Sequence, residues 1–263
     1  TVATFYPDAD PETSSVDGWV GIDLSPFVTW AVLKAASGTV VYDSTENSTA
    51  IVASGDTQDK WRIIRRGIFI FDTSSLPDNA VISGAVLHIY GDSKENSGGA
   101  PSLNIYDVTT AANTSLAVGD YDTCGIIPYC DTPITYAGFS ITGYNDFAFN
   151  AAGLAAISKT GVTKLCLREA TFEVANVEPV WTSGDNTGFI FYTVEQGTIY
   201  RPKLEVTYYM AEGASSPFRL SLLERKDESR LKVWPYGLWA YGSGRSDRTR
   251  APLVVPKPWR HGH

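Results

Sequence analysis

Apolar residues fall along this chain in short runs and alternations of strand length, separated by clusters of Gly, Pro, Asn, Asp and Ser. The clearest instance runs from Arg65 to Gly91. Ile68, Phe69, Ile70 and Phe71 form an unbroken apolar run, and Asp72-Thr-Ser-Ser-Leu-Pro-Asp-Asn then supplies turn residues. Extended structure resumes from Ala80 to Tyr90. A strand without a polar side buries both faces, as the middle of a sandwich does. One of Phe69 and Phe71 is therefore expected in the sandwich core and the other is expected to be covered as well.

The same pattern continues on either side. Thr1 to Tyr6, Thr39 to Tyr42, Val162 to Arg168, Gly188 to Val194 and Leu204 to Tyr209 read as strands, and Ser102 to Val108 alternates. Together they make about eight to ten strands. Asn150 is a cap for one short helix through Ala151 to Ile157. Thr109 to Thr135 reads as a long surface loop, a usual place for a contact surface. The fold class that follows is all-β: an antiparallel, jelly-roll-like β-sandwich with one short helix over residues 1–210, plus an extended C-terminal arm over 211–263.

Composition changes at that boundary. Residues 211–263 hold 10 Lys and Arg against 5 Asp and Glu, while the body holds 11 against 24. Residues 219–233 fit a β-hairpin around Lys226-Asp-Glu-Ser229, with a helix as the competing reading. Beyond them, Pro and Gly are too frequent for an independent core. Yet Trp234, Tyr236, Trp239, Tyr241 and Trp259 share this segment with Arg245, Arg248, Arg250 and Arg260, a residue set suited to anchoring on a partner. An extended run from Trp234 to Arg260 across sister subunits, or across another assembly protein, is the expectation. Arg interleaved with aromatics can track single-stranded nucleic acid, but the acidic body argues against that partner.

Candidate chemistry is sparse. Three histidines stand apart from any Ser or Cys nucleophile pattern, and no phosphate loop, GxSxG or HExxH occurs, so no catalytic residues and no enzyme are expected. Asp8, Asp10, Glu12 and Asp17 lie in a loop and could offer oxygens to calcium, the alternative being a solvated acidic loop without a cofactor. Cys124 and Cys130 bracket a short loop and form the disulfide candidate, with Cys166 left as a free buried thiol. Asn47 and Asn113 head glycosylation acceptor patterns. Trp19, Trp30, Trp61 and Trp181 suit either a sugar-stacking platform or the core. No apolar run is long enough for a transmembrane helix, and no signal-peptide pattern stands at Thr1.

Residues 71–77, Phe-Asp-Thr-Ser-Ser-Leu-Pro, with Ala80-Val-Ile82 and Ala85-Val-Leu87, resemble the signature of DNRLRE-type domains. Arg201-Pro-Lys-Leu-Glu-Val-Thr-Tyr208 is similar to that family's closing strand, and Asp146-Phe-Ala-Phe-Asn150 falls where the family has a strand and a helical turn. The resemblance spans roughly Phe5 to Tyr209 and implies a jelly-roll-like sandwich of cell-surface, polysaccharide-associated or phage structural proteins. Two functions are open: a non-enzymatic structural protein of an extracellular or viral assembly, such as a capsid decoration or tail protein, linked through the arm; or a carbohydrate-binding, adhesive module of a secreted or cell-surface protein. Either places the chain in a virion or outside the cell.

Overall fold

The computed structural model describes residues 1–211 and, beyond them, two short strands. In chain order the elements are β1 (Val2–Phe5), β2 (Asp17–Val28), α1 (Trp30–Ala35), β3 (Val40–Tyr42), β4 (Asn47–Ser54), β5 (Trp61–Asp72), β6 (Ala80–Asn96) and β7 (Ser102–Tyr106). Then follow β8 (Ile134–Thr135), β9 (Tyr144–Ala148), α2 (Ala151–Ala156), β10 (Val162–Glu169), β11 (Asn186–Tyr192), β12 (Lys203–Met210), β13 (Lys232–Trp234) and β14 (Gly237–Trp239). Two compact units divide the chain at residues 212 and 213. No helix among the described residues is long and apolar enough to cross a membrane.

All strand pairs are antiparallel, and the hydrogen-bonded order β1-β12-β6-β11-β4-β5-β10-β7-β8 curls into a sandwich-like all-β fold. β6 makes the curl possible. Its first half pairs with β12 and β9, while Gly91 to Asn96 pair with β11. At the crossing, a Cβ on Gly91 would collide with the Ser140 carbonyl and the Phe139 ring. Only glycine lets these backbones approach so closely.

β5 is the axis. β2 lies along one side of it, and β4 then β10 occupy the other. Phe69 and Phe71 are fully buried in the main core with Leu87, Ile89, Phe147 and Leu204 from the opposing strands. Ile68 and Ile70 are fully buried on the reverse face with Trp30, Leu33, Trp61 and Tyr121. Both rings are thus covered as the unbroken run predicts, and truncating either costs about 3–5 kcal/mol. The reverse face is covered by α1, a second short helix absent from the sequence reading, and by the 109–135 loop. That loop lies on the surface as expected, but it also caps the second core: its own Leu116, Tyr121 and Cys124 are buried, while Ile126 and Ile127 stay exposed. α2 forms where Asn150 predicts it, the Asn150 Oδ1 accepting the Gly153 amide at 3.0 Å.

A buried ionic cluster pins the second core. Glu173 accepts from Arg66 Nε at 2.8 Å and from Arg168 Nη2 at 2.5 Å, and Lys34 Nζ stands 3.9 Å from its Oε1. Burial alone would raise the Glu173 carboxyl, but Arg66 and Arg168 outweigh it and hold the group at about 2. Arg66 also stacks on Tyr121, 3.7 Å from the ring centre, and donates to the Tyr121 carbonyl.

The cysteine pairing is corrected. Cys124 lies in the second core and Cys130 in the main core, so they occupy different clusters; all three thiols are free and buried. Burial pushes the Cys130 thiol up to about 12, which leaves it protonated at neutral pH. In the C-terminal unit, β13 and β14 pair antiparallel with Trp234 opposite Gly237. The chain therefore reverses there, where an extended run was expected. Trp234 and Trp239 end those strands; Tyr236, Tyr241, Arg245, Arg248, Arg250, Trp259 and Arg260 lie outside the described residues.

Candidate functional site

Alternation along β6 puts Leu87, Ile89 and Gly91 inside and His88, Tyr90 and Asp92 outside. Registered neighbours extend this outer row. Tyr144 and Asp146 of β9 stand opposite Tyr90 and His88, and Lys203 of β12 stands opposite His88 on the other side. Tyr192 of β11 and Tyr200, in the segment before β12, close the group.

Tyr90 is its centre. Its ring centroid is 5.2 Å from Tyr144, 4.9 Å from Tyr200 and 5.9 Å from Tyr192, while Tyr192 and Tyr200 are 5.0 Å apart. Three of the hydroxyls are anchored. Tyr90 donates to the Thr142 carbonyl, Tyr144 to the Ile199 carbonyl and Tyr192 to Asp92 Oδ1, at 2.7, 2.9 and 2.8 Å. Hydrogen bonding to Asp92 raises the Tyr192 phenol, so it stays a donor at neutral pH. Asn47 donates from Nδ2 to the other Asp92 oxygen at 3.2 Å, which uses a side chain that the glycosylation pattern marks as an acceptor.

Charged groups rim the rings. His88 Nδ1 is 2.6 Å from Asp146, and its Nε2 is 3.6 Å from Glu205. Lys203 donates to Glu205 Oε1 at 2.8 Å, which lowers the Glu205 carboxyl, and its ammonium stands 5.5 Å from the Tyr144 ring centre. Arg201 lies over Tyr6, 3.4 Å from the ring centre. These two residues join the tyrosine face to an open cleft of about 720 Å³, bordered also by Asp8, Asp72, Val194 and Glu195. The result is a shallow, pre-organised surface of aromatic rings with donors and acceptors of both signs at its edge.

The sequence-marked residues lie elsewhere. Trp19, Trp30 and Trp61 are buried, and Trp181 packs against the second core, its Nε1 donating to the Lys60 carbonyl at 3.1 Å. They form no platform. In the acidic loop, Asp8 Oδ2 accepts from the amides of Thr13, Ser14 and Ser15 and from the hydroxyls of Thr13 and Ser14. Partial burial would raise its carboxyl, but the Ser14 and Thr13 hydrogen bonds leave it lowered. Asp8 is therefore the hub of its own loop, Asp10 is exposed, Glu12 is half-buried and Asp17 is buried against the Val194 amide. No group of three or more His, Cys, Asp or Glu placed to hold a metal ion occurs among the described residues.

Sequence reasoning missed the tyrosine face. His88, Tyr90 and Asp92 carry an alternation signal within β6, but no sequence signal ties them to Tyr144, Tyr192 and Tyr200. Comparison with known proteins adds no family. No family model and no curated protein matches the chain. Among solved structures, it is similar to BuGH86 in complex with neoagarooctaose and to a variant of that protein in the same complex. Each match has 9% identity and a TM-score of 0.20, covering 79% of this chain and 30% of the other. At that score the likeness carries no argument about fold or activity.

Proposed function

We propose that the chain is a non-catalytic carbohydrate-binding module that holds a glycan on the outer face of β6, β9, β11 and β12. The observation that carries this reading is the four-tyrosine group centred on Tyr90, with three hydroxyls anchored and with Asp92, Asp146, Lys203 and Glu205 nearby. Sugar rings present C–H faces that pack on aromatic side chains, while their hydroxyls need donors and acceptors at the rim. Anchored rings lose little freedom on binding, which favours affinity from a shallow surface. The DNRLRE-type resemblance and an extracellular location belong to the same proposal. Screening the full chain against immobilised polysaccharides tests it. Retention of at least one glycan is expected, weakened about tenfold or more by Tyr90→Ala, a loss of roughly 1.4 kcal/mol. Absence of any retention, or retention indifferent to that change, refutes the reading.

The second reading, a structural protein of an extracellular or viral assembly, rests on the basic, aromatic extension beside a body of opposite charge. Such complementarity steers docking between subunits and is weakened by salt. Deleting everything after Val233 separates the two readings. Glycan retention without change favours the module, and loss of a discrete oligomer favours the assembly protein.

A further inference from the structure

Four carboxylates in the described residues are almost wholly buried: Asp17, Asp120, Glu169 and Glu173. Three are satisfied. Asp120 accepts the amides of Ala111 and Ala117, one on each oxygen. Glu169 accepts four amides, from Ser102, Thr171, Phe172 and Glu173. Glu173 has its two arginines. Asp17 differs: it is 1% exposed, its Oδ2 accepts the Val194 amide at 3.0 Å, and its Oδ1 has no donor.

The next residue along supplies a second such oxygen. Glu195 Oε1 receives a long bond from the Asp10 amide, 3.4 Å, and its Oε2 is buried without a partner. Burial, then the charge of Glu195, then that of Glu12, push the Asp17 carboxyl well above the usual carboxylate range. Burial and Glu12 likewise raise Glu195. No Lys, Arg or His of the described residues forms an ion pair with either group. Buried charge is tolerated when it is paired or coordinates a metal.

We propose that Asp17 Oδ1 and Glu195 Oε2 are protein ligands of a hard divalent cation, Ca²⁺, with water from the adjoining cleft completing its shell. Calcium takes six to eight oxygens in flexible geometry, so two carboxylates with water are a fitting start. Of the acidic loop's residues, only Asp17 serves as a ligand, with Glu12 close by as added negative potential. The ion ties the start of β2 to the segment that leads to Tyr200 and Arg201, and so stiffens one edge of the tyrosine face. The site stands independently of the glycan reading.

Calcium chloride titrated into the full chain, first stripped with EGTA, tests the site. A saturable single-site heat is expected, with a rise in melting temperature of about 5–10 °C at ~100-fold excess over Kd. Both should vanish in Asp17→Asn and in Glu195→Gln, and persist in Asp10→Asn. Because Glu195 is only half-buried, its variant remains informative if the Asp17 variant misfolds. Absence of any response in the wild-type chain overturns the proposal, as does a response surviving in Glu195→Gln. Stability that ignores calcium but rises on acidification also overturns it, since the two carboxyls then share a proton instead.

Discussion

Glu173 and Asp17 are both carboxylates sealed from water in one β-sandwich, and they have opposite electrostatics. Glu173 sits among Arg66, Arg168 and Lys34 and is held at about 2. Asp17 faces Glu195 and Glu12 and is held well above its usual range. The difference does not come from depth, because both are fully buried. It comes from what the neighbouring strands deliver. β5 and β10 each bring an arginine to Glu173, whereas the turn after β11 brings Asp17 an amide and another acid. A satisfied buried ion is part of the fold; one with a bare oxygen points to something outside the chain.

The largest expected effect breaks the satisfied side. Glu173→Gln leaves two buried arginines and the partly buried Lys34 without their counter-charge, and about 3–5 kcal/mol of stability should be lost. Urea unfolding measures it; a loss below about 1 kcal/mol would show that water or Glu169 already neutralises the arginines. The matching change on the other side, Asp17→Asn, should have a far smaller effect, whose sign depends on calcium.

The next effect is in pH. Glu173 has a folded value of about 2, below its unfolded value of 4.5. Its contribution is therefore present above about pH 4.5 and is lost as pH falls through 2, an effect of about 3 kcal/mol. Asp17 has the opposite sign. Its raised folded value means a contribution present below its unfolded value of 3.8 and lost as pH rises through the folded one. Glu195, Glu12 and Glu169 are raised as well and add to that side. Without calcium, stability should thus peak in mild acid rather than at neutrality. Thermal melts across pH 2–8 would show it, and a curve rising steadily to pH 7 contradicts the Asp17 half of the comparison.

Local rules read well where one element decides the matter. The Ile68 to Phe71 run gave burial on both faces, and Asn150 gave a helix cap, because period and capping act within a few residues. Helix α1 escaped because Thr29 makes no side-chain cap and the segment carries Trp and Val, which suit a strand equally. The Cys124–Cys130 pairing failed for a related reason: closeness in sequence says nothing about which side of β5 each thiol faces. The tyrosine group and the Asp17–Glu195 pair needed the register of β6 against β9 and β12, and the return of the chain after β11. These are long-range facts that composition cannot encode. The nearest sequence signal to the second site was the acidic loop. It included Asp17 among the candidate ligands but grouped it with Asp8, whose carboxylate closes the loop itself.

The smallest change is the most discriminating, because its sign should depend on an ion. In Asp17→Asn the side-chain oxygen can still accept the Val194 amide, and the new amide nitrogen gains Glu195 as an acceptor. An unpaired buried acid is thereby replaced by a neutral donor and acceptor. In EGTA the variant should equal or exceed the wild type in stability, by about 1 kcal/mol, the order of the penalty for one unsatisfied buried group. In saturating calcium the wild type should be the more stable, since only a folded state that binds the ion is stabilised by it. The two melting curves should therefore exchange order on adding the metal. Glu173→Gln offers the control: its large deficit should be the same with and without calcium, because its carboxylate is already paired. If Asp17→Asn is destabilised equally in both conditions, Asp17 is another structural acid, and the contrast between the two buried carboxylates is one of degree alone.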